Sequence, residues 1–208
     1  FVKTVYFMIG LILAAGRSSR LGEPKILFQY LGKSLLERTC QQALSVCSEI
    51  LVLIGAETEK SSEILRKLQR TNPKVQFSIS EHWSEGMGST LAEGLRILAD
   101  KQEDIMVLLC DLPFIESSHL SALQNAKQLH PKLFIVSDFG GQMSPPVVIP
   151  QQFQSQFFNW KGEKGLGEIW HKQAKDVLYC HFNVQYKDLD TPDDKAYWRV
   201  VETQNTAE

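Results

Sequence analysis

At 208 residues and 43% hydrophobic, the chain is long enough for one sizeable core and short for two full domains. Its formal net charge of −2 argues against a nucleic-acid partner, which is normally met by a basic surface, but allows a small anionic substrate held by a few local cations. The four cysteines, Cys40, Cys47, Cys110 and Cys180, contain no C-x-x-C pair, which argues against structural zinc and fits reduced thiols in a cytoplasmic protein.

The apolar start, Phe1 to Leu13, is too short to span a membrane and lacks a small-residue cleavage site. It reads as a buried first strand over Tyr6–Ala14, and no membrane partner is expected. Ser34 caps a helical stripe of Leu35, Leu36, Cys40, Ala43 and Leu44 that runs to Val46. Cys40 and Cys47 lie seven apart, which on a helix suggests one buried face. Ile50–Ile54 is a short apolar strand ending in Gly55, Glu59–Leu68 a helix, and Val75–Ile79 a strand. Thr90–Leu98 is helical, Ile105–Leu109 a fully apolar strand, Ser118–Leu129 a helix and Leu133–Val136 a strand.

The last third is less regular. Val147–Ile149 reads as an added strand, Pro150 opens a helical stretch, and Gly162–Gly167 is a loop. Val177–His181 is a strand, and Thr191-Pro192 starts the last helix with proline at its first position. Short apolar strands separated by helices imply an α/β fold, a doubly wound, mostly parallel sheet with helices on both faces. Ligands of such sheets bind at the carboxyl ends of the strands. No linker or repeat interrupts the chain, so 1–208 reads as one domain, in two halves of about 6–115 and 116–208.

The richest segment follows the first strand: Leu13-Ala14-Ala15-Gly16-Arg17-Ser18-Ser19-Arg20-Leu21-Gly22-Glu23-Pro24-Lys25. Small residues let the backbone approach a ligand, Gly16 and Gly22 permit unusual dihedrals, and successive N–H groups can cradle phosphate oxygens. Arg17, Arg20 and Lys25 supply cations that suit a triphosphate. The segment is neither a Walker loop, whose lysine follows glycine, nor the G-x-G-x-x-G dinucleotide fingerprint. Farther on, Gly86-Met87-Gly88-Ser89 precedes a helix, where free N–H groups can hold polar parts of a ligand. Ser89 is there either a ligand contact or the helix N-cap. Asp111 follows the apolar strand Ile105–Cys110 and is well placed to hold Mg²⁺ against phosphate oxygens. The histidines show no metal spacing, and no serine sits in G-x-S-x-G, so neither zinc nor acyl-transfer chemistry is indicated.

The first segment resembles the L-A-A-G-x-S-x-R-[ML]-G-x-x-K loop of the molybdopterin nucleotidyltransferases, the molybdenum cofactor cytidylyltransferase group. Three further motifs match in order. Trp83 to Leu91 resembles W-x-x-G-M-G-x-S-[LV], Asp111-Leu112-Pro113 resembles D-x-P, and Asp188 to Asp194 resembles D-[IV]-D-T-P-E-D. The resemblance covers nearly the whole chain and implies a Rossmann-like nucleotidyltransferase. It implies nucleotide contacts at Leu13, Ala14, Ala15, Gly16, Arg17, Ser18, Lys25, Gly88 and Ser89, with Gly55 a further candidate near the base. It implies Mg²⁺ on Asp111 and Asp190, the latter at the end of a strand, although Asp190 also suits an N-cap. Arg17, Arg20 and Lys25 would neutralise the β- and γ-phosphates, and with Asp111 form the catalytic set.

Ala15, where guanylyltransferase-like members have glycine, favours CTP as the nucleoside triphosphate. On the acceptor side the pattern R-G-[HN]-P-V meets Met143-Ser144-Pro145-Pro146-Val147, without its arginine. The pattern G-D-x-G-A-R meets Gly162 to Gly167, again without arginine, with Lys161 and Lys164 the nearest cations. Three readings follow: CMP transfer from CTP to molybdopterin; a related transferase using GTP or another phosphorylated acceptor; or a nucleotide-binding partner that delivers cofactor to a molybdoenzyme without turnover.

Overall fold

The computed structural model describes residues 7–163, 165–167 and 174–205. Tyr6, where the sequence reading begins the first strand, and Lys164, one of the two acceptor-side cations, lie outside the described residues.

Strand β1 (Met8–Ala14) is buried at every position, as a two-sided apolar run should be. Alternate side chains serve opposite faces. Met8, Ile12 and Ala14 enter one core with Leu36 and Cys40, while Ile9, Leu11 and Leu13 enter another with Leu91 and Leu95. Beside β1 lie β4 (Glu49–Ile54) and then β5 (Val75–Ile79) on one side, all parallel. On its other side lies β6 (Asp104–Leu109), also parallel. A separate two-stranded ribbon, β2 (Gln29–Tyr30) and β3 (Lys33–Ser34), precedes the first helix.

Beyond β6 come β8 (Gln142–Ile149), β7 (Phe134–Phe139) and β9 (Val177–His181), giving the order β5-β4-β1-β6-β8-β7-β9. β8 runs antiparallel to both neighbours and is much longer than the expected Val147–Ile149. The β7–β8 register jumps between Val136 and Ser137 of β7, the step that accommodates Pro145-Pro146 of β8. Two prolines cannot donate to a ladder, so the strand bulges there and the apolar pattern breaks. Ser137 Oγ donates to the Pro146 carbonyl across the gap at 2.6 Å.

Helices α1 (Leu35–Leu44), α2 (Thr58–Thr71), α3 (Met87–Ile97), α4 (Ser117–Leu129) and α5 (Pro192–Asn205) cover the sheet and its ends. Ser34 and Glu37 form a full capping box at the start of α1. This helix stops at Leu44, so Cys47 lies past its end rather than on it; both thiols are buried in the same core. No helix among the described residues is long and apolar enough to cross a membrane. The strand order reverses between β1 and β6, and the loops leaving their carboxyl ends therefore diverge and open a crevice.

Candidate active site

A cavity of about 550 Å³ opens at that switch point, within the range of small-ligand sites. Its walls are the loop after β1, the end of β6, and the start of α3. Leu13, Ala14, Ala15, Gly16, Arg17, Ser18, Arg20 and Lys25 all line it, as do Asp111 and Asp190. The sequence-predicted cations and carboxylates are thus brought together around one space.

The loop is shaped by a few bonds. Ser18 takes a left-handed conformation at φ 54°, its carbonyl accepts from Leu21 N, and its Oγ accepts from Lys25 N at 3.0 Å. Gly22 is also left-handed, at φ 76°. Gly16 is not among the residues of positive φ, so the strained position in this turn is Ser18 instead. A Cβ on Gly16 would meet no protein atom within 4 Å. Its missing side chain leaves room on the cavity wall rather than relieving the backbone.

Pro24 then sets Lys25 into a short 3₁₀ turn, from which Lys25 Nζ donates to Asp111 Oδ2 at 2.6 Å and lies 3.7 Å from Asp190 Oδ1. Burial works against the charge of Lys25, but the bonded Asp111 carboxylate, followed by Asp190 and Asp188, outweighs it and raises the pKa. Arg20 Nη1 reaches Asp190 Oδ2 at 2.7 Å. Asp188 is raised by its own burial and then by the two neighbouring carboxylates. Asp111 Oδ1 is buried without a hydrogen-bond partner. Cys110, beside it, is pushed up to about 12 by burial and is an inert thiol here.

Asp190 does not end a strand, as the sequence reading expected, because β9 stops at His181. Leu189 N donates to the Asp111 carbonyl at 2.8 Å, and the buried Leu189 side chain packs with Leu21, Phe28 and Trp198. That pins the stretch against the end of β6 and turns Asp190 inward. Nor is Asp190 the cap of α5. Thr191 and Asp194 form that cap reciprocally, with Thr191 N donating to Asp194 Oδ2 at 2.8 Å and Asp194 N to Thr191 Oγ1 at 3.3 Å. The Asp190 carboxylate is left for the cavity.

Three other expected contacts sit behind the wall. Gly88 N donates to the Gly162 carbonyl at 2.9 Å, and Ser89 Oγ donates to Glu85 Oε2 and accepts from Gly162 N at 3.0 Å. Helix α3 begins at Met87 with Gly86 before it, so Ser89 is not the N-cap either. These groups grip the Gly162 loop, while Gly86, Met87 and Thr90 face the cavity. Gly55 is likewise off the wall, because an added Cβ there would fall 2.6 Å from Trp83 Cγ and 2.7 Å from the Ala15 carbonyl. The contact seats Trp83, over whose ring Arg17 Cζ stands at 5.4 Å. Trp83 is a lining residue the sequence reading did not single out, although it lay within a quoted motif.

Residues 10–177 match the MobA-like NTP transferase domain. The chain belongs to the MobA-like NTP transferase family. As a member of that family it is a nucleotidyltransferase. This MobA-like transferase is 26% identical over 195 residues to the purine catabolism protein PucB of Bacillus subtilis (strain 168), covering 90% of this chain and 94% of that protein. It is 33% identical over 106 residues to a "probable molybdenum cofactor guanylyltransferase" of Trichormus variabilis, covering 51% of this chain and 46% of that protein. In fold it is similar to Rv0371c of Mycobacterium tuberculosis H37Rv, with a TM-score of 0.78 at 21% identity over 94% of this chain and 98% of that one. Rv0371c has also been solved in complex with manganese. The structural likeness agrees with the mostly parallel seven-stranded sheet.

Proposed function

We propose that this MobA-like transferase moves CMP from CTP to the phosphate of molybdopterin and releases pyrophosphate, with Mg²⁺ held by Asp111 and Asp190. The observation that carries the reading is the convergence of Arg17, Arg20 and Lys25 with those two carboxylates on one cavity. Among the described residues no group of three His, Cys, Asp or Glu side chains is arranged to hold a metal alone. Mg²⁺ is commonly bound by one or two carboxylates together with substrate phosphates, and the unpartnered Asp111 Oδ1 suits that arrangement. When bound, the metal supplies charge neutralisation at the phosphate oxygens.

The remaining work falls to the protein's own groups. Two anions must meet, so repulsion and misalignment are the obstacles. An oxygen of the acceptor phosphate attacks the α-phosphorus of the nucleotide, and the bond from that phosphorus to the bridging oxygen of pyrophosphate breaks. Arg17, Arg20 and Lys25 meet the charge that gathers on the leaving pyrophosphate. A phosphate monoester is already largely ionised near neutral pH, so no protein base is required. The loop backbone from Leu13 to Ser18 carries the nucleotide, Gly88 and Ser89 act through the Gly162 loop, and Gly55 acts by seating Trp83. Ala15, buried on the wall, narrows the space for a base and favours CTP.

The second reading, GTP or a different phosphorylated acceptor, is favoured by the guanylyltransferase among the relatives and by the absence of acceptor-side arginines. Titration of CTP, GTP, ATP and UTP by calorimetry with Mg²⁺, alongside Asp111→Ala, tests both. Selective CTP binding that the variant loses supports the first, and selective GTP binding replaces it with the second. Nucleotide binding without acceptor-dependent pyrophosphate release would leave a non-catalytic partner of a molybdoenzyme. No nucleotide binding at all would overturn the transferase reading.

A further inference from the structure

A second cavity, of about 170 Å³, adjoins the first and shares Leu13, Met87 and Leu109 with it. Leu91 of α3, Val107 of β6, Met143 and Pro145 of β8, and Leu166 from the stretch between β8 and β9 line it. Among the described lining residues none carries a charge, and the single polar side chain, Ser144, has its hydroxyl turned to Tyr186 at 3.5 Å. Met143 and Gly167, which stand where the acceptor-side patterns carry arginine, both line this one space.

A charged or strongly hydrated group placed there would lose water and gain no charged partner among the described lining residues, so they select against it. An apolar group of matching size would shed its own hydration and cover exposed methyl and methylene surface. A cavity of about 150 Å³ lined by aliphatic side chains takes up one benzene-sized ring, which sets the scale. The shared wall fixes the direction. A ligand seated among Leu91, Val107 and Leu166 that extends past Leu13 and Met87 enters the first cavity, which Asp111 lines.

We propose that the second cavity receives the uncharged, apolar end of the phosphorylated acceptor, a single ring or a branched alkyl group of that size, and so sets acceptor choice. The assignment rests on the transferase reading of the adjoining cavity and, because a pterin is polar, favours another phosphorylated acceptor over molybdopterin. In place of the cations of the related pattern, this chain recognises its acceptor by shape and dryness on one side and by the phosphate on the other.

Calorimetric titration of benzyl phosphate and of glycerol 3-phosphate into the full chain, with and without CTP and Mg²⁺, tests it. Benzyl phosphate is expected to bind at least tenfold more tightly. Met143→Arg is expected to abolish the difference while leaving CTP affinity unchanged. Gly165→Val, at a position where an added Cβ has room, narrows the space without adding charge and is expected to weaken benzyl phosphate alone. Equal binding of the two phosphates, a preference that survives both substitutions, or competition between benzyl phosphate and CTP would overturn the proposal. A protein that keeps the preference yet binds no nucleoside triphosphate would overturn the transferase reading and leave the ligand class of the cavity standing.

Discussion

Replacing Lys25 by Met tests whether its ammonium compensates the two carboxylates in the resting protein. Lys25 and Asp111 are 19% and 16% exposed at the side chain, so their 2.6 Å contact is largely withdrawn from water. In Lys25→Met, Asp111 Oδ2 loses that partner while Oδ1 already has none, and Asp188 and Asp190 remain close by. Breaking a buried pair from one side destabilises by about 3–5 kcal/mol, and the residual exposure of this one brings the expected loss to about 2–3 kcal/mol. For a chain of this length that lowers Tm by roughly 4–12 °C. A divalent cation binding the freed carboxylates should reverse most of it, since a ligand at 100 times its Kd adds about 2.7 kcal/mol. Differential scanning calorimetry with and without saturating MgCl₂ reads both effects. The variant should melt lower than wild type without metal and gain more from it. A variant as stable as wild type, and indifferent to Mg²⁺, would refute the reasoning.

Three further outcomes are expected. Gly16→Ala should fold with an unchanged Tm, because the added Cβ meets no protein atom within 4 Å, yet weaken nucleoside triphosphate binding severalfold in calorimetry. Gly55→Ala should destabilise by about 1–3 kcal/mol in urea, as the new Cβ presses on Trp83 and the Ala15 carbonyl, and should raise the nucleotide KM about two- to fivefold by displacing the platform under Arg17. Asp104, buried against Lys127, has its carboxyl raised above the ordinary range by that burial, with Lys127 and Gln151 N opposing. A raised folded-state pKa means a contribution present below the unfolded pKa of about 3.9 and lost as pH rises through the folded value. The stability of wild type relative to Asp104→Asn should therefore decline as pH rises above about 4 in chemical denaturation; a flat difference would exclude it.

Most of what positions the site can be read from local sequence. β1, β4 and β6 are short apolar runs bounded by loop residues, and burial on both sheet faces makes such runs unambiguous. The Leu13–Lys25 loop and Asp111 lie directly at the ends of those strands, so their convergence follows once the parallel order is known. The acceptor side resists the same reading. β8 is hidden by Pro145-Pro146, which a local pattern takes as the end of a strand when the ladder in fact steps around them. The two-residue strands β2 and β3 are too short for any period, and their turn needs Leu31 and Gly32 both at positive φ. Asp190 owes its place to a bond between Leu189 and Asp111, and Gly88 and Ser89 owe theirs to Gly162. No neighbour in the sequence announces such long-range partners.

The Leu189–Asp111 bond also bears on the order in which a growing chain acquires its parts. Everything through Asp111, with β1, β4, β5 and β6, emerges first, and it carries all three cations and one carboxylate. Asp190 arrives only when the stretch ahead of α5 docks Leu189 among Leu21, Phe28 and Trp198. A nascent or proteolytically shortened chain that ends before Leu189 would carry the phosphate-facing loop and lack the second acid. Docking of the Leu189 stretch, rather than pairing of the first four parallel strands, is then the step that brings both carboxylates to one cavity.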